Sequence, residues 1–183
     1  VLHPANHNPP SVRCPHGLRR VKINSIVREL ETIRKNKTEY KGILVSGEIC
    51  LKGIQGRKTD MELNIRPGSK DKLYRKFAVR FAQNEQYRTS LSFRPHESVL
   101  KIDRKFSGSR RAIIHQRRSL VRSEEGQLKL RIILDSFSAE IFVNDGEQVL
   151  SVTMYTDLAA KGISFFADGQ VSMDITKYDL WEE

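Results

Sequence analysis

Apolar and polar residues alternate with a period of two along most of this chain. Successive side chains of a β-strand point to opposite faces, so each run predicts a strand with one buried and one wet face. Short strands of this kind, separated by glycine-containing breaks, are typical of an antiparallel sandwich or barrel. The sequence therefore predicts an all-β fold, a two-sheet antiparallel β-sandwich of the jelly-roll or lectin-like type. The clearest predicted strands are residues 43–51, 61–65, 77–81, 87–93, 128–135, 163–167 and 171–175.

Turn-forming residues separate these runs. Breaks are predicted at 67–69, 107–109, 124–126 and 168–169, each of which contains glycine. The sharpest local signal is Asn144-Asp145-Gly146 between two β-rich runs, residues 139–143 and 148–154. Glycine accepts a positive φ without steric cost, and asparagine tolerates the same region, so this segment predicts a tight hairpin.

The N-terminal part of the chain differs from the rest. Residues 25–35 carry apolar positions that fit one helical face, which predicts either a helix or an extended linker. We therefore divide the chain into an N-terminal arm, residues 1–35, and a β-sandwich, residues 36–183. Because the chain begins with Val1 rather than methionine, we expect it to be a piece of a longer protein or a processed product.

The net charge of +10 is unevenly distributed. Residues 1–120 carry a net charge of +17, and residues 121–183 carry −7. Most of the cations alternate with apolar residues, which is typical of the wet face of a strand. A phosphate-binding surface would require these cations to converge in space. Aromatic residues interleaved with the cations on a platform are not evident, so nucleic-acid binding ranks last among the functions considered.

Cysteine content and hydropathy limit the remaining classes. Two cysteines, Cys14 and Cys50, are too few for a disulfide framework, which favours reduced thiols and a cytoplasmic location. No apolar run approaches the ~20 residues that span a bilayer, so no membrane partner is predicted. His3, His7, Cys14 and His16 lie close together in sequence, but the prolines among them prevent a helix that would present them on one face. No metal or other cofactor is predicted.

Three segments resemble motifs of glycoside hydrolase family 32, the invertases, sucrose-6-phosphate hydrolases, levanases and inulinases. Residues 130–147, which read LRIILDSFSAEIFVNDGE, resemble the C-terminal signature of that family. Residues 100–108 resemble its Asp-Arg-x-x-Ser-Gly strand and turn. Residues 24–31 resemble the segment that leaves its catalytic domain. The motifs follow the order of the family and span about residues 24–183.

The resemblance implies a β-sandwich domain that follows a five-bladed catalytic propeller. Family members carry their nucleophile, transition-state aspartate and acid/base glutamate in Asn-Asp-Pro, Arg-Asp-Pro and Glu-Cys motifs of that propeller. None of the three occurs in this chain; Glu48-Ile49-Cys50 is not Glu-Cys and lies on a predicted strand. We therefore predict no catalytic residue here, and we interpret the motif residues as a structural hairpin. These motif residues are Asp135, Glu140, Phe142, Asn144, Asp145, Gly146 and Glu147.

The resulting hypothesis is a non-catalytic C-terminal module of a retaining β-fructofuranosidase-type enzyme. The parent enzyme would hydrolyse sucrose, sucrose 6-phosphate or a fructan. The expected partners are the catalytic propeller, a second copy of the chain in a homodimer, and a fructoside ligand. The alternative is a free-standing lectin-like carbohydrate-binding module. Its supply of aromatic rings is thin, because Trp181 stands at the end of the chain and Tyr40, Tyr74, Tyr155 and Tyr178 are scattered.

Overall fold

The computed structural model describes residues 29–108 and 115–180 of the chain. Ten β-strands account for most of these residues, which confirms the predicted all-β fold. Short 3₁₀ turns lie at Pro95–Glu97 and Asn144–Gly146. The strands are β1 (Arg34–Ile49), β2 (Thr59–Pro67), β3 (Lys76–Gln83), β4 (Arg88–Arg94), β5 (Val99–Phe106), β6 (Gln116–Leu120), β7 (Leu128–Asp135), β8 (Ser138–Val143), β9 (Gln148–Thr153) and β10 (Gly162–Leu180).

All the strand pairs are antiparallel and form one continuous, curled sheet. The hydrogen-bonded order is β6-β5-β4-β3-β10-β2-β7-β8-β9, and β1 pairs with the other edge of β10. We call β6, β5, β4, β3 and the first part of β10 half-sheet A. Half-sheet B comprises the last part of β10 with β2, β7, β8 and β9. The two half-sheets pack against each other as the two layers of a sandwich, with a common hydrophobic core between them.

Strand β10 is the corner at which the two half-sheets meet. Its residues 162–168 pair with β3, and its residues 171–179 pair with β2, while β1 follows it on both sides of the bend. The predicted break at 168–169 is therefore a bend within one strand rather than a turn between two. Gly169 has a φ of +104°, and a Cβ there would lie 2.9 Å from the Cα of Tyr74. Only glycine permits this close approach.

Alternation sorts the side chains of β3 and β7 as the sequence predicted. In half-sheet A, Phe77, Val79 and Phe81 of β3 are buried, whereas Arg80 faces outward. In half-sheet B, Leu130 and Ile132 of β7 are buried, whereas Arg131 faces outward. The inner faces of both half-sheets contribute to one core, as expected for two layers that each bury one face.

The N-terminal part departs from the sequence prediction at its end. Residues 29–32 are helical, but β1 begins at Arg34, so the last residues of the predicted helix lie in a strand instead. Pairing of Arg34 with Leu180 explains this difference, because the sheet supplies backbone partners that an isolated helical turn lacks. The start of the predicted helix, the segment that contains His3 to His16, and Trp181 lie outside the described residues.

Candidate functional site

The family-like hairpin joins β8 to β9. Asn144, Asp145 and Gly146 have φ values of 46°, 58° and 89°, which confirms the predicted tight turn. The Asn144 side chain secures it, because Nδ2 donates to the carbonyl of Arg122 at 2.7 Å and Oδ1 accepts the backbone N–H of Lys129 at 3.3 Å. The Lys129 ammonium also lies 2.5 Å from Asp145 Oδ1. The turn is therefore fixed to β7 and to the segment before it.

The remaining hairpin residues are spread over the molecule rather than gathered into one site. Asp135 Oδ1 accepts the backbone N–H of Ser136 at 2.6 Å in the β7–β8 turn. Phe142 is half-buried on the outer face of half-sheet B. Glu147 borders a shallow depression of about 560 Å³ at the end of the sandwich, and Glu140 lines a different cleft. The structural role assigned to this set from the sequence stays a prediction.

The second family-like motif has a clear physical basis. The Ser107 hydroxyl is buried and lies 2.6 Å from the hydroxyl of Thr89, and the Ser107 carbonyl accepts the N–H of Tyr155 at 2.8 Å. Gly108 has a φ of +95°, and a Cβ there would lie 2.1 Å from the carbonyl oxygen of Tyr155. The Ser-Gly pair therefore ties the end of β5 to the segment that follows β9.

A polar cleft opens where the edge strands β6 and β9 approach each other. At one end of this opening the strands are bridged by Gln148, whose side chain accepts from Ser119 Oγ at 3.1 Å and donates to the Leu120 carbonyl at 2.6 Å. At the other end they separate and leave a cleft of about 270 Å³. Its lining is mostly polar and consists of Ile102, Arg104, His115, Arg117, Ser138, Glu140, Ser151, Val152 and Thr153.

The charged groups of this cleft are not neutralised by one another. Within the described residues, neither Arg104 nor Arg117 lies within 4 Å of a carboxylate, and Glu140 accepts a hydrogen bond from Ser151 Oγ at 2.6 Å rather than from a cation. The Nε of Arg104 is buried and has no hydrogen-bond partner among residues 29–108 and 115–180. Such a group is satisfied by a water molecule or by a ligand.

The side chains that line the cleft include hydroxyl, guanidinium, imidazole and carboxylate groups. Several donors and acceptors converge on it, which suits the hydroxyl groups of a sugar. Hydrolysis of a glycosidic bond uses two carboxyl groups that face each other across the bond. Glu140 is the single carboxylate among the residues that line this cleft. Within the described ranges, no group of three or more His, Cys, Asp or Glu residues is placed to hold a metal ion.

Sequence reasoning missed the role of Arg57. Arg57 lies in a glycine-containing segment, residues 53–58, that connects β1 to β2. The Arg57 guanidinium, however, is buried and donates to the Thr156 hydroxyl, to the Ser136 carbonyl and, at 3.1 Å, to the Asp157 carbonyl. Burial lowers the pKa of Arg57. One side chain thus joins three loops at the same end of the sandwich.

The apolar residues Phe137, Tyr155 and Leu158 are exposed on those loops. The Met154 N–H donates to the Phe137 carbonyl at 2.7 Å, which places the first two beside each other. Tyr74, by contrast, is buried and its hydroxyl donates to the Gly126 carbonyl at 2.6 Å, so it is not available for stacking on a ligand. Burial raises the pKa of Tyr74.

Comparison with known proteins supports the resemblance found in the sequence. The family described as "Glycosyl hydrolases family 32 C terminal" matches residues 29–182. The chain is 28% identical over 155 residues to a sucrose-6-phosphate hydrolase of Staphylococcus xylosus, a match that covers 84% of this chain and 31% of that protein. It is 31% identical over 131 residues to a levanase of Bacillus sp. (strain L7), covering 68% of this chain and 14% of the levanase.

The fold is also found in solved structures. The exo-inulinase of Aspergillus awamori superposes with a TM-score of 0.70 at 17% identity, over 84% of this chain and 31% of the inulinase. The chain spans less than a third of the length of each of these three proteins. A match over residues 29–182 covers every described residue, so the chain belongs to the C-terminal domain family of glycoside hydrolase family 32.

Proposed function

We propose that this chain is the non-catalytic C-terminal module of a β-fructofuranosidase-type enzyme. The single observation that carries the proposal is the family match over residues 29–182, which is to the C-terminal part of these hydrolases. The proposed parent enzyme acts on sucrose 6-phosphate, sucrose or a fructan, in line with the names of the matched relatives. Among the described residues that line the polar cleft, Glu140 is the single carboxylate, which supports a role other than bond cleavage for this domain.

The module would act by packing on its catalytic propeller and on a second copy of itself. Exposed Phe137, Tyr155 and Leu158 at one end of the sandwich support such a role, because clustered apolar side chains on a surface mark contact sites. We expect self-association of the isolated chain, measured by light scattering. Replacing Phe137 and Tyr155 with serine should reduce it, and a monomeric wild-type chain at high concentration would contradict this part of the proposal.

A domain exchange tests the structural role directly. Residues 29–183 of this chain replace the matching C-terminal part of the Staphylococcus xylosus sucrose-6-phosphate hydrolase. We expect the chimera to be soluble and to hydrolyse sucrose 6-phosphate, whereas the same enzyme without a C-terminal domain should lose soluble yield. Yield, thermal midpoint and hydrolysis rate are measured in parallel.

The matched control for this exchange is the chimera that carries Gly108→Val. A side chain at Gly108 would collide with the Tyr155 carbonyl, so this variant should fold poorly and behave like the truncated enzyme. Equal yield and activity from the chimera, its Gly108→Val form and the truncated enzyme would contradict a supporting role. The full chain alone, incubated with sucrose and with levan, should release no fructose above the buffer blank.

The polar cleft between β6 and β9 favours a second candidate function, the lectin-like binding of sugar. The specific observation is the buried Nε of Arg104, which lies among hydroxyl-bearing residues and has no partner in the part of the chain that the structure describes. Calorimetric titration with fructo-oligosaccharides tests it. We expect saturable heat that is lost in Glu140→Gln, and the absence of heat with the wild-type chain would exclude this function.

We propose a cytoplasmic location because the chain has too few cysteines for a disulfide framework. Cys50 is an exposed free thiol, and exposed thiols persist in a reducing compartment. Localisation of a tagged parent protein checks this proposal.

A further inference from the structure

The outer face of half-sheet A contains a hollow that follows from its strand register. Ala78 of β3 pairs with Ser92 of β4, and Arg80 pairs with Ser90 in the next row. Across the other edge of β4, Ser92 pairs with Lys101 and Ser90 with Asp103 of β5. Small side chains therefore stand side by side in the middle of the sheet face. Long side chains surround them and leave a hollow of about 160 Å³.

The wall of the hollow is mainly basic. Lys76, Arg80, Arg88 and Lys101 stand around it, so the cations that the sequence distributes over three strands do converge in space. Three of these cations lie over phenylalanine rings. The Arg88 guanidinium lies 5.2 Å from the centroid of Phe106, and the Lys76 ammonium and the Arg80 guanidinium lie 5.8 and 5.3 Å from that of Phe166. These cation–π contacts hold the charged groups in place.

Two of the four cations are not paired with a carboxylate of the described residues. Arg80 lies 2.5 Å from Glu48, and Lys101 lies 3.3 Å from Asp103. Within the described part of the chain, neither Lys76 nor Arg88 has a carboxylate oxygen within 4 Å. The four cations and two carboxylates around the hollow thus leave two positive charges. This excess matches the charge of a phosphate monoester, about −1.5 to −2 at neutral pH.

Like charges lie close to one another in and beside the hollow. Lys101 is paired directly with Arg118 across β5 and β6, and like charges in this arrangement are destabilising. Burial, together with the neighbouring charges of Arg80, Arg94 and Lys101, lowers the pKa of Lys76. An anion in the hollow would relieve both effects, and the same residues would serve as its donors.

We propose that this hollow binds a phosphate monoester. The planar fork of Arg88 donates to two phosphate oxygens, the Lys76 ammonium supplies a point charge, and the hydroxyls of Ser90 and Ser92 donate from the floor. A cavity of this size holds one phosphate group and leaves the organic part of the ligand at the surface, beside the exposed ring of Phe106. The site is separate from the polar cleft between β6 and β9, and it stands whether or not the module serves a fructosidase.

Isothermal titration of the full chain tests the proposal, with inorganic phosphate and fructose 6-phosphate as probes and unmodified fructose as the uncharged control. We expect saturable binding of both phosphates and none of fructose. Tighter binding of fructose 6-phosphate would assign the site to a sugar phosphate, whereas equal affinity would assign it to phosphate itself. The double variant Lys76→Gln/Arg88→Gln should weaken binding at least about tenfold, because it removes two charged hydrogen-bond donors from the phosphate.

The matched control is Lys72→Gln/Lys161→Gln, which removes the same charge from two exposed side chains outside the hollow. It should leave the affinity unchanged, while Ser90→Ala/Ser92→Ala should weaken binding severalfold. Circular dichroism establishes that every variant is folded. The proposal is overturned by equal losses in the two charge variants, by the absence of binding at millimolar phosphate, or by binding that is confined to oligonucleotides.

Discussion

The outer faces of the two half-sheets both carry cationic side chains, but carboxylates neutralise these cations to different extents. On half-sheet B, Asp60 is fully buried beneath the guanidinium groups of Arg34 and Arg131. Arg131 binds it in a bidentate manner, with Nε–Oδ1 and Nη2–Oδ2 distances of 2.9 and 2.6 Å. Arg34 donates to Asp60 Oδ2 at 2.6 Å and to Glu62 at 2.7 Å, and it lies 4.4 Å from the centroid of Tyr178. Each cation here has a carboxylate partner.

Half-sheet A does not neutralise all its cations in this way. Its cations surround small side chains rather than a buried carboxylate, and Lys76 has no anionic partner among the described residues. Charges that are paired inside the chain hold the fold together, whereas charges left without a partner are available to a ligand. The two faces therefore predict opposite responses when a charge is removed.

The largest effect is expected for Asp60→Asn. This change leaves Arg34 and Arg131 partly buried without their shared counter-ion, so we expect a loss of about 3–5 kcal/mol in the free energy of unfolding. Urea denaturation measures it. The matched control is Asp174→Asn on the same face. The Asp174–Arg66 pair, at 2.7 Å, is more exposed, so this variant should lose about 1 kcal/mol or less in the free energy of unfolding. Equal losses in the two variants would contradict the distinction between buried and exposed pairs.

A smaller, pH-dependent effect is expected for Glu48 on the edge of half-sheet A. Hydrogen bonds from Arg80 and Ser164 lower the pKa of Glu48 below its ordinary value of 4.5. A lowered carboxyl pKa contributes stability above the unfolded value, and this stability is lost as the pH falls through the folded value. Glu48→Gln should therefore cost up to about 1 kcal/mol at pH 7 and progressively less below pH 4.5. A cost that does not change with pH would argue against this ion pair.

Lys76→Gln should have the opposite sign. It removes a cation that is disfavoured by partial burial and by its cationic neighbours, so in the absence of phosphate we expect a gain of about a few tenths of a kcal/mol in the free energy of unfolding. Addition of phosphate should stabilise the wild-type chain and not this variant. The thermal midpoint of each, with and without phosphate, gives the comparison. A loss of stability in phosphate-free buffer would show that Lys76 has a stabilising partner. The two half-sheets would then not differ in how their cations are neutralised.

The smallest expected effect is the change that salt causes in the stability differences between the variants and the wild-type chain. Exposed charges are screened by salt far more than buried pairs, and the screening length falls from about 10 Å at 0.1 M to about 3 Å at 1 M. The gain from Lys76→Gln should vanish in 1 M sodium chloride, while the cost of Asp60→Asn should persist. Urea denaturation of both variants at the two salt concentrations measures this difference.

The strands of this protein were predictable because each one carries its own signal. Period-two alternation placed the cores of β2, β3, β4 and β7, and Asn144-Asp145-Gly146 placed the β8–β9 turn, since positive φ is a local requirement. The same local reasoning failed at β10. Asp168-Gly169 has the composition of a turn, but pairing with β1 on one edge and with β2 and β3 on the other keeps the strand continuous.

The candidate sites were less predictable because their residues come from distant parts of the chain. Arg57 reads as one more basic residue in a glycine-containing loop, and only the packing of three loops makes it a buried donor. In the sequence, Arg104 of β5 and Arg117 of β6 look like ordinary charged residues on the outer face of a strand. The approach of β9 is what turns them into the lining of a cleft.

The all-β class, the position of most strands and the hairpin were predictable without coordinates, because they depend on residues close together in the chain. Which charges are neutralised depends instead on how the strands are arranged in the folded sheet. Asp60 is 26 residues from Arg34 and 71 from Arg131, and the order of the strands brings the three together. The same order leaves Lys76 and Arg88 beside small residues and without a carboxylate partner among the described residues, since charges interact through space rather than along the chain.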